Sequence, residues 1–325
     1  MTTPLASKDR SAQLQRLSSE RFDLLVIGGG ITGAGVAREA ALRGLSVALI
    51  DGEDFAAGTS SRSTKLIHGG LRYLAMGDFA LVREAARERK AVYAMAPHLA
   101  EPRWMMLPVA NRPALWKYRT GVALYERLGA VAPQDRHQIW GEGELEAEEP
   151  RLNRRAFPLA CAYREYLTDD ARLVLAVLRA AAESGAALAN YVKAKKLLWT
   201  AQGGRVNGAE VACALTGERF AIRARAVVNA AGPWVERLAA EDPAPEKKAL
   251  HLSKGVHIVL PRKALPVQHL SFLETPDKRL IFTVPYLDTV FVGTTDTSYE
   301  GADPLWPEIL REEAAYLLEP LKRYY

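Results

Sequence analysis

Residues 22–33, FDLLVIGGGITG, decide how the first part of this chain folds. The apolar run at 22–27 ends in three glycines, which is typical of a buried parallel strand that runs into a tight turn. Alanines at helical spacing follow in residues 33–43, and Gly44 stands where the C-terminal cap of a helix is expected. A second short apolar run, residues 46–51, ends at Asp51. The pattern predicts a strand–helix–strand (βαβ) unit.

The glycines of this stretch fit the G-x-G-x-x-G fingerprint of dinucleotide-binding Rossmann units. Gly28 allows the tight turn, Gly30 lets the backbone approach a pyrophosphate, and Gly33 permits close packing of the helix on the strand. The N–H groups and the dipole of the helix N-terminus favour an anion there. Asp51 is placed to accept hydrogen bonds from ribose hydroxyls. Because NAD and FAD share the fingerprint, it leaves the choice of dinucleotide open.

The bulk composition is that of a globular protein of about two domains. The 325 residues are 49% hydrophobic and 25% charged, with a mean hydropathy of −0.10. No run approaches the ~18 apolar residues of a membrane span, and the first twenty residues lack the apolar centre of a secretory signal. Cys161 and Cys213 stand apart, without histidines at ligand spacing, so neither a disulfide framework nor a metal site is predicted. A cytoplasmic location is expected.

The net charge of +5 is mildly basic. Such a charge suits phosphorylated substrates or an anionic membrane surface, although an ordinary basic surface is the simpler explanation. No basic run with interleaved aromatic residues indicates nucleic-acid binding.

Further along the chain, local patterns predict helices, hairpins and a linker. The expected helices cover residues 78–95, a segment capped by Asp169 or Asp170 and ended by Gly185, and residues from about 307 to 321. Glycine turns at 202–204 and 216–218 predict hairpins, and short strands are expected at 226–229, 256–260, 280–284 and 289–293. Residues 242–248 are the best linker candidate.

Residues 59–74, TSSRSTKLIHGGLRYL, resemble the signature of the FAD-dependent glycerol-3-phosphate dehydrogenases. That family belongs to the D-amino-acid-oxidase-like flavoprotein superfamily. Five further segments are similar to the same family: MAPHL at 95–99, YLTDDARLVL at 166–175, VNAAGPW at 228–234, KGVHIV at 254–259 and VGTTD at 292–296. The resemblance runs from about residue 22 to residue 321.

The resemblance implies FAD as the cofactor. Ser60, Ser61 and Lys65 offer hydroxyls and a cation to an anionic dinucleotide, although a solvated loop would explain the same residues without the resemblance. The complete set of predicted cofactor contacts is Gly28, Gly30, Ile31, Thr32, Gly33, Asp51, Thr59, Ser60, Ser61, Lys65, Leu66, His68, Gly69, Gly70, Leu71, Ala230, Ala231 and Gly232.

Three residues are predicted at the catalytic site. The family uses the arginine that matches Arg72 to hold substrate, and a guanidinium can donate two parallel hydrogen bonds to a phosphate. The alternative role for Arg72 is a surface ion pair. Tyr73 follows it and is expected to serve partly in packing. Alternation along the strand at 256–260 puts His257 and Val259 on the face opposite Val256. His257 could take a substrate hydroxyl proton, or it could be a hydrogen-bonded sheet histidine; the resemblance favours the former.

The predicted fold class is α/β. A Rossmann-like FAD-binding domain is expected over residues 20–96 plus 159–241, and a substrate domain with a mixed or antiparallel sheet over 97–158 plus 249–325. The family's chain continues with S-G-x-R-P and G-G-K-x-T-T-Y segments, which do not occur here. We therefore expect a chain cut short at its C-terminal end, with part of the substrate site open.

The activity implied by the resemblance is oxidation of sn-glycerol 3-phosphate to dihydroxyacetone phosphate. Hydride passes to flavin N5 and electrons pass to membrane quinone, which implies peripheral attachment to the inner face of the plasma membrane. The alternatives are an oxygen-using glycerol-phosphate oxidase, an amino-acid oxidase, which residues 60–74 disfavour, and an inactive FAD-binding remnant. An NAD-dependent dehydrogenase is disfavoured because nothing after Asp51 resembles a nicotinamide site. A homodimer is left open.

Overall fold

The computed structural model describes residues 9–68, 73–74, 76–201, 204–239, 250–301 and 303–325. The chain divides into two compact units. The first comprises Met1–Ser63, Asp169–Leu252 and Gly301–Trp306, and the second comprises Thr64–Thr168, Ser253–Glu300 and Pro307–Tyr325.

Helices and strands alternate in the first part of the chain, and strands dominate later. The α-helices run over Arg10–Ser19 (α1), Ile31–Leu42 (α2), Phe79–Met95 (α3), Arg112–Leu128 (α4), Glu142–Glu148 (α5), Asp170–Glu183 (α6), Val235–Ala239 (α7) and Arg311–Tyr324 (α8). Short 3₁₀ turns cover Thr59–Ser61, Pro133–Asp135 and Gly232–Trp234. The strands are Arg21–Ile27 (β1), Val47–Ile50 (β2), Leu66–Ile67 (β3), Ala100–Val109 (β4), Gln138–Trp140 (β5), Leu159–Thr168 (β6), Ala187–Ala189 (β7), Val192–Trp199 (β8), Val206–Cys213 (β9), Arg219–Asn229 (β10), Ser253–Lys254 (β11), His257–Pro261 (β12), Leu270–Glu274 (β13), Leu280–Tyr286 (β14), Thr289–Gly293 (β15) and Thr297–Ser298 (β16).

The first unit is built on a six-stranded sheet of order β7-β2-β1-β10-β9-β8. β1 pairs in parallel with β2 and β10, and β2 pairs in parallel with β7. β9 runs antiparallel to both β10 and β8. The predicted βαβ unit is therefore confirmed as β1, α2 and β2, in a sheet of the expected Rossmann-like kind.

Side chains of β1 alternate between two apolar clusters, as the period of two along a doubly covered strand requires. Leu25 and Ile27 pack with Leu17 of α1 in one cluster. Val26 packs in the other with Ala34 and Ala37 of α2, which are both fully buried. Because these helix residues are alanines, α2 can lie close against the sheet.

The second unit contains an eight-stranded sheet of order β12-β15-β14-β13-β4-β6-β3, with β5 paired to β6. β4 and β13 are parallel, whereas the other neighbouring strands are antiparallel. The mixed sheet of the prediction is thus confirmed. Met106 on β4 packs with Leu317 and Leu321 of α8, and the neighbouring Met105 packs with Val82 of α3 in a separate cluster.

A buried ion pair joins α3 to β6 within this unit. Arg89 Nη1 donates to Glu165 Oε1 and, at 2.6 Å, to the Tyr125 hydroxyl. The side chains of Arg89 and Glu165 are 5% and 3% exposed. Burial alone would lower the pKa of the Arg89 guanidinium, but the Glu165 carboxylate raises it above its ordinary value. Burial raises the pKa of the Glu165 carboxyl to about 7, and the Arg89 charge and hydrogen bond oppose that rise, so each partner favours the charged form of the other where helix and sheet meet.

The division into units differs from the predicted domain bounds. Residues 64–96 and 159–168, expected in the FAD-binding domain, lie in the second unit, because β3 and β4 both pair with β6 there. Residues 301–306, expected in the substrate domain, lie in the first unit. These memberships follow from pairing between distant segments and not from any local pattern.

The structure refines three helix boundaries that were predicted from the sequence. Asp78 caps α3 by accepting from the Leu81 amide, and Asp169, not Asp170, caps α6 by accepting from the Arg172 amide. α2 begins at Ile31, before the expected Gly33.

The last helix starts later than predicted, at Arg311 instead of about residue 307. The Glu313 side chain caps the Leu310 amide, and the Glu308 carbonyl accepts from Lys254 Nζ instead of entering a helix. The predicted linker at 242–248 and two residues of the 202–204 turn lie outside the described residues. Across the described ranges, no helix combines the length and apolar character needed to cross a membrane.

Candidate functional site

The glycine-rich turn after β1 leaves no room for side chains at two positions. Gly28 has a φ of +116°, and a Cβ there would lie 2.3 Å from the Ala230 carbonyl oxygen at the end of β10. A Cβ at Gly33 would lie 1.9 Å from the Gly28 carbonyl oxygen. Strand, turn and helix therefore approach one another at a distance that only glycine allows.

Ser60 closes the N-terminus of α2. Gly30 is the N-cap residue and has no side chain to offer, so the Ser60 hydroxyl accepts from the Ile31 amide at 2.9 Å. Ser60 belongs to the Thr59–Ser61 turn. The 59–74 signature thus begins directly against the helix terminus where a dinucleotide phosphate is favoured.

Asp51 is held in one orientation by two backbone amides. Its Oδ2 accepts from the Gly29 amide at 2.6 Å, and its Oδ1 accepts from the Glu53 amide at 2.9 Å. Burial raises the pKa of this carboxyl, while these two hydrogen bonds oppose the rise. The carboxylate is presented at a defined place, as recognition of a ribose would require.

These elements surround a cavity of about 770 Å³ in the first unit, large enough for part or most of a dinucleotide. The predicted residues that line it are Gly28, Gly30, Ile31, Thr32, Asp51, Thr59, Ser60, Ala230, Ala231 and Gly232. Of the other predicted contacts in this unit, Gly33 packs against the turn, and the Ser61 hydroxyl donates to the Gly58 carbonyl at 3.4 Å.

Several lining residues were not predicted from the sequence. Lys193 and Lys195 lie on β8, and Trp234 and Arg237 follow the Gly232 turn. Trp234 is part of the 228–234 segment that resembles the family, so that segment could have indicated it, whereas the alternating lysines of β8 have the pattern of an ordinary solvated strand. Their positive charge suits an anionic dinucleotide. Cavity size, charge and the side-chain-free turn together fit FAD.

The remaining predicted residues lie in the second unit or outside the described residues. Lys65, Leu66 and His68 are in the second unit, where Leu66 pairs with Leu167 and the His68 ring lies 5.4 Å from that of Phe282. Tyr73 is 39% exposed and also belongs to this unit. The predicted residues outside the described ranges are Gly69, Gly70, Leu71 and Arg72.

His257 lies at the start of β12 with Thr64 against its ring. The distance from Thr64 Oγ1 to His257 Nε2 is 3.0 Å, and the tautomer decides which atom donates. Burial, with a smaller contribution from the positive charge of Lys65, lowers the pKa of the imidazole to about 4. His257 is therefore neutral near pH 7 and able to accept a proton. Val256 is buried and Val259 is exposed, so the predicted alternation is correct.

The strand that carries His257 is held by buried polar side chains. The Val256 amide donates to Thr295 Oγ1 at 3.0 Å. Lys254 Nζ donates to Glu313 Oε2 at 2.9 Å, and Thr297 Oγ1 donates to the other oxygen of that carboxylate at 2.9 Å. Thr295 of the TTD segment, whose role the sequence left open, thus holds the residue that precedes β12, and Lys254 and Thr297 connect this region to the N-terminus of α8.

Neither a metal centre nor a disulfide is present in the described part of the chain. No group of three or more His, Cys, Asp or Glu side chains is arranged to hold a metal ion there. Cys161 and Cys213 are both buried and free.

Comparison with known proteins identifies the family of this chain. The family model described as FAD dependent oxidoreductase matches residues 23–325. The chain is 41% identical over 310 residues to the aerobic glycerol-3-phosphate dehydrogenase of Staphylococcus aureus strain USA300, covering 94% of this chain and 55% of that protein. It thus spans about half the length of the curated relatives it matches.

Solved structures show the same fold. Glycerol-3-phosphate dehydrogenase from Bacillus halodurans, complexed with FAD, superposes with a TM-score of 0.80 at 36% identity, covering 98% of this chain and 56% of that one. L-alpha-glycerophosphate oxidase from Mycoplasma pneumoniae with FAD bound superposes with a TM-score of 0.67 at 16% identity, covering 94% and 79%. At that identity the second likeness concerns the fold alone.

Proposed function

The chain belongs to the FAD-dependent oxidoreductase family, which confirms the predicted cofactor, and we propose that it oxidises sn-glycerol 3-phosphate to dihydroxyacetone phosphate. The observation that carries the proposal is the neutral, half-buried His257, in a chain 41% identical over 310 residues to a dehydrogenase named for that substrate. A neutral imidazole can take the proton that the substrate hydroxyl must lose when its carbon is oxidised.

The first unit supplies the cofactor site in this proposal. When bound, FAD supplies the hydride acceptor. The Gly28 turn and the N-terminus of α2 would hold its pyrophosphate, and Asp51 would accept hydrogen bonds from its ribose. Lys193 and Arg237 line the same cavity and would compensate phosphate charge.

The second unit supplies the base. In the tautomer that protonates Nε2, His257 donates to Thr64 Oγ1, and Nδ1 remains as the nitrogen that accepts the substrate proton. Thr64 would orient the ring without taking part in the proton transfer. Lys65 favours the neutral imidazole through its charge.

Arg72 and Tyr73 complete the proposed substrate site. The support for Arg72 is the 59–74 signature, in which an arginine follows the glycine turn and can donate two hydrogen bonds to a phosphate. The exposed position of Tyr73 leaves its ring available for contact with a ligand. In the same proposal, the residues predicted at 65–71 contact the cofactor and not the substrate.

Purification of the 325-residue chain and anaerobic addition of glycerol 3-phosphate test this function. We expect flavin absorption near ~450 nm that bleaches with substrate. His257→Asn should slow bleaching by about 100-fold or more, the typical share of a general base, whereas His98→Asn, at an exposed position, should not. A yellow protein that does not bleach contradicts the proposed activity. Hydrogen peroxide release in air would assign oxygen as the acceptor instead of quinone.

We further propose quinone as the acceptor and peripheral attachment to the inner face of the plasma membrane. The outer face of α4 supports the membrane attachment, because it combines an indole with cations, as helices that bind the membrane interface do. Trp116 is 60% exposed, and Arg112, Lys117, Arg119 and Arg127 are exposed on the same helix.

Sedimentation with lipid vesicles tests the attachment. The chain should bind vesicles that contain anionic lipid more tightly than neutral ones, and Trp116→Ala with Arg119→Gln should weaken that binding. Equal binding by the double variant would contradict the role of α4. Light scattering in the same buffer determines whether two copies associate, which the sequence left open.

A further inference from the structure

A short segment of the first unit closes one side of the cofactor cavity. Residues 303–306, DPLW, are named the strap here; Asp303 and Leu305 line the cavity together with Gly28, Asp51 and Ser60. The strap lies about 240–280 residues after these partners in sequence, yet it belongs to the same compact unit. Its place therefore depends on contacts with distant residues.

The strap is stiff. Asp303 Oδ1 accepts from the Leu305 amide at 2.9 Å, which closes a local turn. Pro304 and Pro307 fix their own φ angles and restrict the residue before each of them to extended conformations. Such a segment moves as one piece, so a single attachment point can control its position.

Arg62 provides that attachment at two consecutive residues. Its guanidinium carbon lies 3.9 Å from the centroid of the Trp306 ring, and its Nη1 donates to the Leu305 carbonyl. Trp306 is 70% exposed, so burial of the indole does little to hold the strap. The stacked cation and the hydrogen bond tie the strap to Arg62.

Arg62 also adjoins the part of the site that meets α2. It directly follows the Thr59–Ser61 turn, whose Ser60 hydroxyl accepts from the Ile31 amide. Arg62 itself is not among the residues that line the cavity. Arg62 can therefore act on a bound cofactor only through its neighbours, the strap and the Thr59–Ser61 turn, and Trp306→Ala isolates the contribution of the strap.

We infer that Arg62 is a positioning residue that latches the strap over the cofactor cavity and thereby slows release of FAD. The inference rests on the proposed placement of FAD in this cavity. It assigns to Arg62 no contact with the cofactor. Opening of the latch would expose the Asp303 and Leu305 side of the cavity to solvent and shorten the residence time of the flavin.

The rate of FAD release from the purified chain tests the latch. Free flavin fluorescence is followed after dilution of the FAD-loaded protein. Arg62→Gln loses one exposed cation–π contact and one hydrogen bond and should speed release about tenfold, whereas Trp306→Ala loses only the cation–π contact and should speed release about threefold. Arg62→Lys keeps the charge but loses the planar stack and should lie between Gln and wild type.

The chain offers a matched control. Arg164 stacks on Trp104 at 3.8 Å in the second unit, so Arg164→Gln removes the same type of contact at residues that do not line the cavity. Its release rate should equal that of wild type. The double variant Arg62→Gln with Trp306→Ala should release FAD no faster than Arg62→Gln, because the arginine substitution already removes both contacts of the latch.

Hydrogen exchange gives a readout that does not require FAD. The Leu305 and Trp306 amides should exchange faster in Arg62→Gln than in wild type or in Arg164→Gln. Release and exchange within twofold of wild type in both Arg62→Gln and Trp306→Ala would overturn the latch. A chain that releases FAD as expected but is not bleached by glycerol 3-phosphate would leave the latch standing and contradict only the proposed activity. A chain that binds no FAD would overturn both.

Discussion

Thr64 Oγ1 lies 3.0 Å from Nε2 of His257, although 193 residues separate the two in the chain. The threonine belongs to the 59–74 signature, and the histidine begins β12. Thr64 was not among the residues predicted for the site. The contact links the two segments that most resemble the glycerol-3-phosphate dehydrogenases, and it fixes the ring proposed as the base.

Thr64→Val should slow flavin reduction by glycerol 3-phosphate without weakening FAD binding. Valine keeps the shape of threonine but cannot hydrogen-bond Nε2, so the ring loses its orientation. We expect a fall of about tenfold in the reduction rate, part of the 10²–10⁴ that a positioned base contributes. Stopped-flow absorbance measures it. Thr64→Ser retains the hydroxyl and should remain close to wild type; an equal loss in both variants would rule out the hydrogen bond as the cause.

The His257 imidazole should titrate with a pKa of about 4, below its ordinary value, because it is buried and near Lys65. The unfolded chain then binds more protons than the folded chain between about pH 6.5 and pH 4. The free energy of unfolding should therefore fall as pH drops through that window, by about 3 kcal/mol at most. Histidine NMR titration gives the pKa directly. A value near 6.5 would contradict the burial argument, and His257→Asn should remove this part of the pH dependence.

Gly33→Ala and Gly35→Ala, two residues apart on α2, should have opposite effects. The added Cβ at 33 would lie 1.9 Å from the Gly28 carbonyl oxygen, whereas at 35 it meets nothing within 4 Å. Gly33→Ala must push the helix away from the turn and should destabilise the fold by about 1–3 kcal/mol while weakening FAD binding. Gly35→Ala should stabilise by up to ~1 kcal/mol through helix propensity. Urea unfolding and FAD titration measure both variants; equal behaviour would contradict the close packing.

Asp51→Asn should weaken FAD binding by about 10- to 100-fold, because it removes a charged acceptor worth about 1.5–3 kcal/mol. The substitution also loses the charge that accepts from the Gly29 amide. Titration of the apoprotein with FAD measures the dissociation constant. Asp23→Asn, at the other end of β1 beside Ser46, serves as the control and should bind as wild type does. An unchanged dissociation constant for Asp51→Asn would argue against a ribose contact.

Glu165→Gln should cost about 3–5 kcal/mol of the free energy of unfolding, because it leaves the Arg89 charge buried without a counter-charge. The exposed pair Arg103–Glu101, at 2.8 Å, offers the comparison. Glu101→Gln should cost less than about 1 kcal/mol. Urea unfolding of both variants gives the two numbers, and similar small losses would mean that Arg89 finds another partner.

Local patterns in the sequence were sufficient for several elements of both units. The βαβ unit, the caps at Asp78 and Asp169 and the alternation around His257 all depend on spacing within one element. An apolar period of two or 3.6 residues reflects which face of that element is buried, so it can be read without knowing the partner. The family signature at 59–74 then singled out the cofactor from the two that share the glycine fingerprint.

Local sequence patterns could not predict the contacts between distant segments. The sequence by itself determined the α/β class, the glycine turn, Asp51 and His257 as candidate site residues. Only the tertiary structure decided that Thr64 meets His257, that β8 brings Lys193 to the cavity and that Arg62 holds Trp306. Strand order in the two sheets sets these meetings, and it arises from burial and pairing summed over the whole chain. The residues next to a given residue in sequence therefore do not indicate the strand order or which distant residue it will contact.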